Sequence, residues 1–344
     1  MKKSFINISK ALPGIGVSIA IALVATFIES ILPIHIIGGA VIAMLIGMLI
    51  NHFARDTVVL NKGIKFTSKK ILKIAIVLLG LSLNINTVLT VGKMSLVVMI
   101  FTLLTCFGGG YFIGKALGLN WKLSNLISAG TGICGGSAIA AIAPTIEADD
   151  NDVAYAMSAT FLFDMAMIFL FPIMGQALGM SDQAFGIWAG TAVNDTSSVV
   201  ATGYAFSEAA GDFATMVKLT RTLSIIPTVI IFAFINLKLK HRNTSLIDKD
   251  MKVNVKFTKI FPWFILGFLG MVVIASVFTI PEAVTSTTKA LSKFLMVCAL
   301  AAIGLNTSFS SMKKAGIRPM LHGLIVSVLV VIVALVVEIA LGIV

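Results

Sequence analysis

Four stretches of this sequence place polar or charged groups in otherwise apolar surroundings. The densest is Gly130-Thr131-Gly132-Ile133-Cys134-Gly135-Gly136-Ser137. Each glycine costs a helix about 1 kcal/mol relative to alanine, so glycines at 130, 132, 135 and 136 predict an interruption. An interruption would free backbone N–H groups at the start of a second half-helix, where anions bind. The alternative is close helix packing through small residues. The second stretch holds Thr191, Asn194, Asp195, Thr196, Ser197 and Ser198. Its side-chain oxygens suit Na+, and the Asp195 carboxylate alone would suit a proton; a hydrogen-bonded cluster between helices is the other reading.

The remaining two are Asp164, within Phe163-Asp164-Met165, and the pair Lys218 and Arg221. Three residues apart, the two cations share one helix face. Unpaired charge at this depth is costly, so an Asp–Arg pair is the default expectation. Two cations exceed what one pairing requires. With the glycine break they would make an electropositive centre suited to a small inorganic or organic anion.

The elements that must carry these residues are membrane spans. Of 344 residues, 58% are hydrophobic and 12% charged, with a mean hydropathy of +1.03. Soluble domains average about 25% charged residues. Apolar segments fall at 11–32, 36–51, 71–88, 94–117, 123–146, 153–178, 182–207, 213–236, 259–279, 283–308 and 319–343. Helices of this length cross the ~30 Å hydrocarbon layer of a lipid bilayer. The expectation is therefore an all-α integral membrane protein of about eleven transmembrane helices, one polytopic domain over 1–344. Residues 52–70 read as a candidate amphipathic surface helix. The apolar stretch after Met1-Lys2-Lys3 reads as a first span and not as a cleaved signal.

Charge placement orients the chain. With the N-terminus cytoplasmic and spans alternating, one side collects Lys2, Lys3, Lys10, Arg55, Lys62, Lys65, Lys69, Lys70, Lys73, Lys115 and Lys122. It also collects Lys238, Lys240, Arg242, Lys249, Lys252, Lys256, Lys259, Lys313, Lys314 and Arg318, making 21 of the 26 basic residues. The other side receives the acids Glu147, Asp149, Asp150, Asp152, Glu208, Asp212 and Glu282. Cytoplasmic loops carry such a Lys/Arg excess, so the inner membrane with the C-terminus outside is expected. The net charge of +11 thus needs no nucleic acid. Glu338, Lys289 and Lys293 lie near the outer interface, where they could snorkel.

Cys106, Cys134 and Cys298 have no disulfide or zinc spacing, and the four histidines lie near segment ends. No nucleotide loop or cofactor fingerprint is present, so no cofactor is expected beyond a coupling Na+ or H+. Two internal echoes appear. Gly80-Leu81 and Ala116-Leu117-Gly118 recur at Gly304-Leu305 and Ala340-Leu341-Gly342, in opposite orientation by the span count. Ala129-Gly130-Thr131 through Ser137 and Ala141 recurs as Ala189-Gly190-Thr191 through Ser197 and Ala201, in parallel orientation by the same count. Inverted repeats mark secondary transporters, but these two echoes fit no single scheme. Asn84, Asn86, Asn306, Thr307 and Ser308 fall within the first echo. Gly108-Gly109-Gly110 with Gly114 reads as a packing surface.

Taken in order, Gly130–Pro144, Trp188-Ala189-Gly190-Thr191 through Val199-Val200-Ala201, and Asp212–Pro227 with Lys218-Leu-Thr-Arg221 resemble the YeiH family, the bacterial sulfate exporter family. That family is similar to the cation/proton antiporter and bile-acid symporter group. The resemblance implies an inverted five-plus-five repeat with discontinuous crossing helices and one peripheral helix at 11–32. Repeat one would cover 36–178 and repeat two 182–343, with spans five and ten crossing. Asn194-Asp195 departs from the His-Glu of many members, keeping an acid but losing an imidazole.

The resulting expectation is a secondary active transporter of a sulfate-like anion, sulfonate or carboxylate, possible as a homodimer. In it Gly130, Thr131, Gly132, Cys134, Gly135, Gly136, Ser137, Lys218 and Arg221 would hold the anion. Asp164, Thr191, Asn194, Asp195, Thr196, Ser197 and Ser198 would take Na+ or H+. A Na+/H+ antiporter without an anionic substrate is the alternative. A channel, or an intramembrane aspartyl protease using Asp164 and Asp195, ranks lower, and no enzyme is expected.

Overall fold

The computed structural model describes residues 8–31, 39–53, 60–243, 262–306 and 316–344, and every regular element among them is helical. Lys2, Lys3, Arg55, Lys249, Lys252, Lys256, Lys259, Thr307, Ser308, Lys313 and Lys314 lie outside the described residues. Among the described residues six helical stretches are long and apolar enough to cross a membrane: Ala11–Ile31, Ile85–Ala116, Asp150–Ala177, Glu208–Leu239, Glu282–Asn306 and Ile317–Ala340. Two shorter apolar helices accompany them, Gly39–Phe53 and Trp263–Val277.

The chain opens with α1 (Ile8–Ile31) and α2 (Gly39–Phe53). Helix α3 runs through Asn61–Phe66, a π turn at Thr67–Ile71 and Leu72–Leu79, closing in a 3-10 turn at Gly80–Ser82. Of the expected surface helix at 52–70, residues 61–70 form the first part of α3. It packs inward, because Gly63 lies so close to α1 that a Cβ there would fall 2.7 Å from the Gly14 Cα. The next break falls at Leu83-Asn84, earlier than the expected gap at 88–94. There the Asn84 side chain accepts from the Asn86 N–H and starts α4. Helix α4 comprises Ile85–Leu104, a π turn at Thr105–Gly109 and Gly110–Ala116.

The two expected spans that carry the polar motifs are not straight rods. The first consists of α5 (Trp121–Ala129, extended by a π turn at Gly130–Cys134) and α6 (Gly136–Ile142). Its outer ends lie side by side: Lys122 Nζ donates to the Glu147 carbonyl at 2.6 Å, and Asn120 Nδ2 lies 3.1 and 3.2 Å from the two Asp152 oxygens. Helix α7 (Asp150–Ala177) then leads to the second, made of α8 (Asp182–Ala192) and α9 (Thr196–Phe206). Here Ser207 Oγ donates to Asp182, and the Phe185 and Phe206 rings stack at 4.0 Å. Both segments are helical hairpins that enter the bundle and return to the end they started from.

This corrects two expectations. The acids at 147–152 sit at the same end as Lys122, opposite to the loop assignment made from alternating spans. The broken helices are the fifth and seventh segments, whereas the tenth, Glu282–Asn306, is continuous. Charge bias could not reveal either point, because residues 143–152 and 178–182 contain no Lys or Arg.

The remaining helices are α10 (Glu208–Leu223), α11 (Ile225–Asn243), α12 (Trp263–Val277), α13 (Glu282–Asn306) and α14 (Ile317–Ala340). Two sets pack among themselves. One gathers α1, α2, α3, α12 and α13; the other gathers α4, both hairpins, α7, α10 and α14. The first set is drawn tight at α2–α13, where a Cβ on Gly304 would strike the Met44 carbonyl. The second is pinned by Trp188 on α8, fully buried. Its ring stacks on Phe171 of α7 at 4.1 Å, and its Nε1 donates to the Val331 carbonyl of α14 at 3.1 Å. Between the sets, α2 lies against α9.

Candidate functional site

The two hairpins meet tip to tip. At the first tip Gly135 adopts φ 61° and ψ −134°, a conformation essentially closed to residues with a Cβ. A Cβ there would also sit 2.9 Å from the Asp195 Cβ, at the second tip. The second echo aligns with this geometry: its offset of sixty places Gly135 on Asp195 and the first residue of α6, Gly136, on the first residue of α9, Thr196.

Each first arm ends in carbonyls that have no helical partner, and α10 supplies them. Lys218 Nζ donates to the carbonyls of Ile133 at 2.9 Å, Val193 at 3.0 Å and Asn194. Arg221 donates through Nε to Gly132 at 2.6 Å, through Nη1 to Val193 at 3.1 Å and through Nη2 to Thr131. Both cations are buried, at 0% and 1% exposure. Each bonds to both hairpins, so α10 fastens the tips together. The positive charges lie on the negative ends of two helix dipoles, a favourable placement. Helix α10 reaches the second hairpin because Gly190 and Gly203 line the contact: a Cβ on either would lie 2.6–2.8 Å from Val217 or Gly211.

Asp164 meets the tips from α7. Its Oδ1 accepts from the Asn194 N–H at 2.8 Å and its Oδ2 from the Asp195 N–H at 3.0 Å. The expected Asp–Arg pair is absent among the described residues: the carboxylate bonds to backbone at the entry to α9, and the cations bond to carbonyls. The bare helix terminus is the physical reason, since it offers each charge an oriented partner of opposite polarity. Asp195 caps α9, its Oδ2 accepting from the Ser197 N–H at 2.9 Å and from the Ser197 hydroxyl.

Of the other expected site residues, Gly136, Thr196 and Ser197 are partly accessible at the junction and Ser137 is exposed. Cys134 and Ser198 are buried. Thr191 turns away, its hydroxyl donating to the Ile187 carbonyl at 2.7 Å within its own helix. The Thr131 hydroxyl and both ends of the Asn194 amide are buried without a hydrogen-bond partner among the described residues.

Several features escaped the sequence reading. Glu338, expected to snorkel, is buried with neither oxygen partnered. His322, expected at a segment end, is also buried, with Nε2 2.8 Å from the Gly110 carbonyl and 3.2 Å from Ser124 Oγ. Of the glycine run at 108–114, Gly110 and Gly114 do pack, against Ser128 and Ser124, whereas Gly108 meets nothing. Lys289 and Lys293 form ion pairs. The hairpin mouths and the second tip carry a readable signal in their helix caps. Asn120, Ser181, Asp195 and Ser207 each accept from a backbone N–H two or three residues on. Caps at 181, 195 and 207 delimit helices too short to cross a bilayer.

Comparison with known proteins agrees with the membrane assignment. The family model described as conserved hypothetical protein 698 matches residues 13–323. The UPF0324 membrane protein of Clostridium tetani is 54% identical over 343 residues, covering 97% of this chain and 99% of the relative. A UPF0324 membrane protein of Streptococcus pyogenes serotype M18 is 42% identical over 341 residues (97% and 98%). One from Streptococcus mutans is 38% identical over 339 residues (96% and 98%). With near-complete coverage at these identities, the chain belongs to the conserved hypothetical protein 698 family of UPF0324 membrane proteins.

Proposed function

We propose that the protein is a secondary active transporter of a small anion, coupled to Na+ or H+. The observation that carries this reading is the tip-to-tip meeting of two helical hairpins that enter from opposite ends. Interrupted helices are tolerated at bilayer depth where they are buried in protein or line a cavity, and in secondary transporters such half-helices hold substrate at the midplane. Among the described residues the hairpins leave nine crossings: α1, α2, α3, α4, α7, α10 with α11, α12, α13 and α14. An odd count keeps the termini on opposite faces, and the basic end faces the cytoplasm of the inner membrane. The two hairpins, opposed in direction and related by the second echo, are the kernel of an inverted repeat.

In this reading the anion lies at the junction, among the Ser137, Thr196 and Ser197 hydroxyls and the first backbone amides of the second arms. Lys218 and Arg221 act mainly through their field, because all three Lys218 donors already serve carbonyls. Asp164 and Asp195 carry the coupling ion. The resemblance to sulfate exporters supports a sulfate-like anion, sulfonate or carboxylate.

Cation/proton antiport without an anion is the second reading. It is favoured by the two carboxylates at the junction and by the prior engagement of Lys218. Flux into proteoliposomes decides between them. Saturable sulfate, sulfonate or carboxylate uptake driven by a Na+ or H+ gradient supports the first. Exchange of Na+ for H+ that ignores every anion supports the second.

A further inference from the structure

Helix α10 does more than fasten the hairpin tips; its far end is tied across the seam between the two helix sets. Lys289 of α13 lies 3.2 Å from Glu208 and 3.2 Å from Asp212, both on the first turns of α10. Lys293, one turn further along α13, lies 3.4 Å from the second Glu208 oxygen. Asp212 also accepts from the Tyr204 hydroxyl of α9 at 2.6 Å. Five side chains thus join α13, which belongs to the set built on α1, α2 and α3, to α9 and α10, which carry a hairpin and its fastening cations. Beside this tie is a cavity of about 400 Å³ lined by Ser82, Asn84, Thr285, Ser286 and Lys289. On the same edge the Ile85 N–H donates to Ser276 Oγ at 3.0 Å, another link between the sets.

Exposed pairs of this kind add little to stability, and Lys289 and Glu208 are 38% and 47% exposed. Their position is what distinguishes them. A rigid-body displacement that opens the seam at this end must break these pairs together with the Ile85–Ser276 bond. From this we propose that Lys289, with Glu208 and Asp212, forms an ionic latch that holds the seam closed at the end opposite the basic loops. Breaking it shifts the protein toward a state in which the hairpin junction opens to that end. The latch rests on the transporter reading for its purpose, but its test needs no transport.

The experiment replaces Cys106, Cys134 and Cys298 and introduces Thr196→Cys at the junction. Labelling by a membrane-impermeant thiol reagent is then timed separately from each side of oriented vesicles. With Lys289→Gln, labelling from the far side is expected to rise roughly 1.5- to fivefold, the range by which such pairs shift a two-state equilibrium. Labelling from the basic side should fall. Lys289→Glu should act in the same direction, whereas Lys289→Arg, which keeps the charge facing Glu208 and Asp212, should retain slow far-side labelling. Unchanged far-side rates in both Lys289→Gln and Lys289→Glu would overturn the latch. So would a rise from both sides together, which would report loosening of the fold, or a rise in Lys289→Arg equal to that in Lys289→Gln. Because no solute gradient is present, failure of solute flux in the proteoliposome assay leaves this result standing, and the converse also holds.

Discussion

Gly135 and Asp195, sixty residues apart in sequence, face each other so closely that a Cβ on Gly135 would lie 2.9 Å from the Asp195 Cβ. One is the positive-φ turn of the first hairpin and the other the N-cap of the returning arm of the second. The contact leaves no room for a side chain at one tip and requires a short polar one at the other. Gly135→Ala should therefore disturb both hairpins. A non-glycine residue in such a backbone region costs about 1–3 kcal/mol, and the clash adds to it. The expected outcome is a clear fall in the thermal midpoint of the purified protein together with loss of solute flux. A variant with wild-type midpoint and flux would show that the tips do not meet in this way.

Lys218 and Arg221 should behave as structural caps first. Removing either cation strands buried carbonyls at both tips, each unsatisfied group costing about 1–3 kcal/mol. Lys218→Met is predicted to be severely destabilising even though it preserves bulk. Arg221→Lys, which keeps the charge but not the fork of three donors, should fall between Met and wild type. Thermal unfolding in detergent reads both. Near-wild-type stability of Lys218→Met would mean that the carbonyls find other partners.

Asp164 offers both oxygens as acceptors, to Asn194 and Asp195 N–H groups. In Asp164→Asn an amide –NH2 must face one of those donors, costing on the order of 1–3 kcal/mol for the unsatisfied group. The variant should also lose the dependence of flux on the coupling ion while still binding substrate. Substrate-induced stabilisation, about 2.7 kcal/mol at a hundred times Kd for a ligand of the folded form, separates binding from coupling. Unaltered coupling in Asp164→Asn would move that role to Asp195 alone.

The hairpins make a sidedness prediction. In a background lacking Cys106, Cys134 and Cys298, Asp149→Cys should label from the same face as Lys115→Cys, and Leu178→Cys from the opposite face. Simple alternation of eleven spans predicts the reverse for both new positions. Impermeant thiol labelling of intact cells and inverted vesicles decides it.

Much of this arrangement was legible before any coordinates. Apolar run lengths marked the membrane helices, because only a helix satisfies its own backbone in lipid. Four glycines at 130–136 predicted an interruption, and α5 does end there, in the π turn before Gly135. The Lys/Arg bias identified one end of the bundle. The reversal at each tip was not legible from hydropathy: a helix that breaks and continues has the same apolar content as one that breaks and returns. Loop charge was equally blind to it, since the two loops whose side changes contain no Lys or Arg. The partners of the buried charges were likewise decided only in three dimensions. Asp164 and Arg221 each found a helix terminus made available by the two interruptions, and no spacing along the chain reports which terminus will face which charge.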